Sequence, residues 1–97
     1  MMGDSFLIVM NIRTADGFES CGKFFIGNNR NAAESIFKRL KGSKKVSDKS
    51  ILTFELMETS HGLPLNIQVI SCSLDELAEN CKIITKGIFK LLNLKEI

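Results

Sequence analysis

Hydrophobic and polar positions along this chain run through one pattern and then run through it again. Two stretches of alternating residues lead into a stretch of helical period, and the same order recurs. The first pass covers Phe6–Arg13, Phe18–Ile26 and Ala32–Lys41; the second covers Ile51–Glu58, Leu65–Cys72 and Leu74–Leu92. Alternation with period two marks strands, and recurrence every three or four residues marks helices. The pattern predicts an α+β fold in the order β-β-α-β-β-α, as a single domain over residues 1–97. Its simplest assembly is a four-stranded, mostly antiparallel sheet with two helices packed on one face. The halves share pattern rather than residue identity.

Within the first strand, Phe6, Ile8, Met10 and Ile12 share one face, and Leu7, Val9, Asn11 and Arg13 share the other. Apolar residues on both faces mark a strand buried on both sides. Asp16-Gly17 supplies a hairpin turn. On the second strand, Glu19, Cys21, Lys23 and Phe25 read as one face, with Gly22 as the place for a bulge. Asn31 is the expected N-cap of the first helix, with Glu34 completing a capping box. Ser43–Ser50, the longest polar connection, is expected to be mobile.

In the second half, Leu52, Phe54 and Leu56 oppose Ile51, Thr53, Glu55 and Met57 across the third strand, and His61-Gly62 marks a turn. Ser73 and Glu76 form a capping box ahead of a stripe that includes Leu74, Leu77, Ala78, Cys81, Ile84, Thr85, Ile88 and Phe89. Gly87 costs this helix about 1 kcal/mol relative to Ala, which implies a close approach by another element.

Composition adds bounds rather than an identity. With 44% hydrophobic and 25% charged residues, 97 residues can bury a core without disulfides or metal. No apolar run nears the roughly 18–20 residues of a membrane span. Asp4 and the short run Phe6–Met10 do not make a signal peptide, and Met2-Gly3 lacks the Ser or Thr that myristoylation wants. The expected location is the cytoplasm, where three reduced cysteines are ordinary. Cys21, Cys72, Cys81 and His61 match a zinc site in number, but no two are spaced as loop ligands, so neither metal nor cofactor is expected.

Charge is uneven. Residues 1–49 hold nine Lys/Arg against five Asp/Glu, and residues 50–97 hold four against six. Arg30, Lys38, Arg39, Lys41, Lys44 and Lys45 make a candidate anion-binding group, a solvated helix end and loop being the plainer reading. Arg30 also stands in the strand-to-helix corner Gly27–Asn31, which lacks the spacing of a phosphate loop. A sheet that binds single-stranded RNA needs an aromatic platform; this chain has neither Tyr nor Trp.

No Cys–His pair and no pair of carboxylates is spaced for catalysis, so no enzyme is expected. The strongest candidate is the sheet face away from the helices, where Leu7, Val9 and Phe25 supply apolar area and Lys23 supplies rim charge. This surface predicts a non-catalytic binding module that forms a homodimer or takes a protein partner. The alternative is weak nucleic-acid or phosphate binding through the basic segment 30–49.

Overall fold

The computed structural model describes residues 5–92. Met2, Gly3 and Asp4, on which the leader and lipidation expectations rest, lie outside them. The elements are β1 (Ser5–Thr14), β2 (Gly17–Gly27), α1 (Arg30–Lys38), β3 (Leu52–Ser60), β4 (Leu63–Cys72) and α2 (Leu74–Leu91). The strands form one antiparallel sheet in the order β2-β1-β3-β4. Both helices cover one face. The molecule measures 38 × 36 × 19 Å, and its thin dimension is one sheet under one helix layer. Among the described residues no helix is long and apolar enough to cross a membrane.

The doubled pattern becomes spatial symmetry. Each half is a hairpin followed by a helix, and the halves join through their first strands, β1 and β3. Ile8 and Phe54 occupy matching places, as do their cross-strand partners Phe24 and Ile70, at one constant spacing along the chain. One register shift matches too: Cys21 is the extra residue between the partners of Met10 and Asn11, and Ile67 is the extra residue between the partners of Leu56 and Met57. A further shift at Phe6/Leu7 in the β1–β2 pair has no counterpart in the β3–β4 pair.

The core lies between sheet and helices. Phe6, Ile8, Phe54 and Leu56 from the central strands meet Ala33, Ile36 and Phe37 of α1 and Ile84 of α2. Burying a side chain of this size stabilises by about 1.5–3 kcal/mol, so these residues dominate the packing. The helices meet at Gly87, where an added Cβ would lie 2.8 Å from both Cδ1 and Cγ1 of Ile36. That contact is the close approach its position implied.

Several local readings are corrected. α1 starts at Arg30 rather than Ala32, because Asn29 and not Asn31 caps it: the Asn29 side chain accepts from Ala32 N–H at 3.0 Å. Glu34 then pairs with Arg30 instead of closing a capping box. α1 also ends at Lys38, short of Lys41. Beyond it, Asn80 of α2 takes over the backbone: Lys41 N–H donates to Asn80 Oδ1 at 2.7 Å, and Asn80 Nδ2 donates to Lys41 C=O at 2.8 Å.

The buried stripe of α2 accordingly runs through Leu77, Asn80, Cys81, Ile84, Gly87 and Ile88, and it excludes Leu74, Ala78, Thr85 and Phe89. Leu74 is 68% exposed, because the capping box at Ser73 and Glu76 holds the first turn at the rim of the core.

Segment 43–50 is tied down rather than loose. Ser43 and Ser71 exchange two backbone hydrogen bonds at 2.8 Å, and Ser71 Oγ donates to Lys45 C=O at 2.9 Å. Arg13 donates to Ser50 C=O at 2.7 Å and to Ser47 C=O at 3.2 Å. Gly42 permits the first contact, since a Cβ there would strike the Ser71 carbonyl oxygen.

Candidate functional site

The sheet face away from the helices carries the most unusual surface. Leu7 sits directly opposite Phe25 across β1 and β2, and Val9 sits opposite Lys23. Directly opposed residues share a face, so the structure brings the four expected interface residues together. They contribute unequally. Phe25 is 71% exposed and supplies most of the free apolar area, whereas Val9 is already 6% exposed and forms the floor. Met57, opposite Leu7 on β3, extends the apolar row to a third strand.

The bulge at Cys21 changes which β2 residues join this face. Asn11 faces Ser20, and Arg13 faces Phe18. Phe18 and Ser20 therefore lie on the open side with Lys23 and Phe25, while Glu19, paired with Ile12, lies on the helix side. The added residue reverses the alternation, so the single face of Glu19, Cys21, Lys23 and Phe25 does not form. Arg13 stacks on the Phe18 ring, 4.3 Å from its centroid, while holding segment 43–50.

The sequence reading missed the polar centre of this face. Asn11 Nδ2 donates to Glu55 Oε1 at 2.5 Å and to Thr53 Oγ1 at 3.3 Å. Asn66 Nδ2 donates to the other carboxylate oxygen of Glu55. The network crosses β1, β3 and β4 and borders a hollow of about 410 Å³ floored by Leu7, Val9 and Met57. Polar residues at alternate positions, Asn11 on one strand with Thr53 and Glu55 on another, were its only sequence signal. Two amides occupy only part of the acceptor capacity of Glu55, since a carboxylate offers about four lone-pair sites.

The basic residues do not form one group. Arg30 opens α1, where its guanidinium meets Glu34 and Glu58 at 3.2 Å each and lies 5.9 Å from the Phe6 ring centroid. Lys38 and Arg39 stand at the other end of this helix, roughly 12 Å away. Lys41, Lys44 and Lys45 follow them into the tied segment. Arg30 is thus committed to carboxylates and stands apart from Lys38 and Arg39 at the far end of the helix.

A larger hollow, about 710 Å³, lies where segment 42–50 meets the start of α2, bounded by Ile51, Cys72 and Leu74. Ser73 and Glu76 in its wall bond each other's backbone. The Cys72 thiol is pushed up from 9.0 to about 11, first by burial and then by the Glu76 carboxylate. Such a thiol is a poor nucleophile near neutral pH. Cys81 is also raised, by burial and by the nearby Cys21.

His61 takes a left-handed backbone conformation (φ 53°) and, with Gly62 (φ 80°), makes the β3–β4 turn. It stands at the far end of β4 from Cys72, roughly 30 Å away, so these two do not pair. Among the described residues, no three His, Cys, Asp or Glu side chains converge as metal ligands.

Comparison with family models, curated proteins and solved structures finds no match to this chain.

Proposed function

We propose that the protein is a small, non-catalytic binding module that self-associates through its open sheet face. The observation that carries this reading is Phe25: a 71% exposed ring beside Leu7 and in one row with Met57, on a face that neither helix covers. An exposed apolar face rimmed by polar residues is the usual form of a protein interface. A second copy is the favoured partner because the face carries both an exposed lysine, Lys23, and a half-buried carboxylate, Glu55, one on each side of Val9. A face bearing both charges can meet itself without like-charge conflict. The free thiols Cys21, Cys72 and Cys81 fit a reducing compartment such as the cytoplasm.

The test is light scattering during size-exclusion chromatography, on the native protein and on Phe25→Glu. Phe25 is exposed in the single chain, so the substitution leaves the fold intact while burying a charge in any sheet-face dimer. A native dimer that becomes a folded monomer on substitution supports the reading. A native monomer at all concentrations, or a dimer unmoved by Phe25→Glu, refutes it.

A further inference from the structure

The face distributes its charges and apolar groups so that two-fold axes along the strands and across them are not equivalent. Two cross-strand rows define the arrangement. In one, Val9 stands between Lys23 on β2 and Glu55 on β3. In the other, Leu7 stands between Phe25 on β2 and Met57 on β3. Both rows are centred on β1, with β2 and β3 on either side.

Resting on the sheet-face reading, we infer that the dimer's two-fold axis runs along β1, setting Lys23 against Glu55 of the second copy and Phe25 against its Met57. Rotation about a line parallel to β1 exchanges the β2 and β3 sides and keeps each row at its own height. Leu7 then meets Leu7 on the axis, with the buried Val9 as the floor beside it. The exposed ammonium of Lys23 reaches a carboxylate whose remaining lone pairs are free to accept. The Phe25 ring lies against a thioether, a contact worth about 0.3–1.5 kcal/mol.

A two-fold perpendicular to the strands through the Val9 row fails on each count. It sets Lys23 against Lys23 and Glu55 against Glu55, and it lays apolar Leu7 over Asn11. β4 lies outside the overlap in the favoured arrangement. Of its open-face residues, Asn66 and Ser71 are already bonded within the chain, to Glu55 and Lys45, while Pro64 and Val69 stay outside the contact. Sheets stacked in this way sit about 10 Å apart, so only residues on or across the axis bring their side chains within bonding distance.

The experiment is oxidative cross-linking in a Cys21→Ser background, with light scattering run first to establish the mass. Leu7→Cys should cross-link to itself. Phe25→Cys alone should not, yet it should cross-link when mixed with Met57→Cys protein. Lys23→Glu should weaken dimerisation roughly tenfold, by setting two pairs of like charges together. A dimer in which Phe25→Cys self-links and Leu7→Cys does not overturns this axis and leaves the sheet-face reading standing. A protein that is monomeric throughout overturns that reading itself. A dimer indifferent to Lys23→Glu removes the charge pairing from the inference.

Discussion

Gly87 and Cys72 show how single residues set limits that their types do not announce. Replacing Gly87 by Ala gains about 1 kcal/mol of helix propensity. The new methyl group falls against two atoms of Ile36, whose β-branched side chain is stiff. Overpacking of this kind costs about 1–3 kcal/mol, so Gly87→Ala should lower the urea midpoint, and adding Ile36→Val should recover part of the loss. A midpoint raised by Gly87→Ala would mean that the helices part without penalty. Cys72 sets a limit through pH. Its thiol titrates at about 11 in the folded chain and at 9.0 when unperturbed, because burial disfavours the thiolate. Between those values the unfolded chain releases a proton that the folded chain keeps, so ionisation favours unfolding. The contribution of Cys72 is intact below pH 9 and is lost as the pH climbs towards 11. Urea titrations from pH 8 to 10.5 should show the native protein losing stability faster than Cys72→Ala; parallel curves would contradict this.

Elements were legible where alternation or helical period ran undisturbed, and illegible where one residue interrupted it. All four strands and both helices follow from apolar spacing, and the Ser73–Glu76 box marks the start of α2 to the residue. The bulge at Cys21 is different: an added residue leaves each half of β2 locally regular, so only the partner strand reveals that the faces have changed over. The α1 cap was ambiguous because Asn28, Asn29 and Asn31 all have the right chemistry, and the choice falls to whichever oxygen reaches a free N–H. Asn80 was unreadable for another reason. Its partner is the backbone of Lys41, and no side-chain pattern encodes a backbone acceptor 39 residues away. The same blindness made segment 43–50 look loose, although Arg13 grips it from β1. Arg13→Ala removes two hydrogen bonds to that segment together with the stacking on Phe18. Brief digestion with trypsin should then cut after Lys44, Lys45 and Lys49 several times faster than in the native protein, with the rest of the chain unaffected. Equal rates would show that the Ser43–Ser71 pairing holds the segment alone.

At the scale of the whole molecule, repetition in the pattern pointed to two like halves, but it could not say how they join. Strand order depends on which strands are fit for the middle, and that is settled by burial on both faces. β1 carries Ile8 beneath the helices and Val9 and Asn11 beneath the open face, all buried; β3 carries Phe54 and Leu56 on one side and Thr53 on the other. β2 and β4 keep mostly exposed residues on their open side and take the edges. The candidate face was legible in part for the same reason: Leu7, Val9 and Phe25 stood out as surplus apolar residues, while the Asn11–Glu55–Asn66 network needed three strands to assemble. This layout also sets how the molecule opens. Each hairpin is held by local contacts, whereas the β1–β3 ladder joins residues from Ile12–Leu52 to Ser5–Thr59 across the two halves. Losing that ladder exposes the core of both halves at once, so it cannot open without global unfolding. Amide exchange should therefore be slowest at Ile8, Met10, Phe54 and Leu56, with one shared free energy that matches unfolding by urea. Edge amides of β2 and β4 should exchange through smaller openings. If the hairpins exchanged as two separate units, each slow within itself and with a faster ladder between them, the halves would be independent structures and the central pair would not be the keystone of the fold.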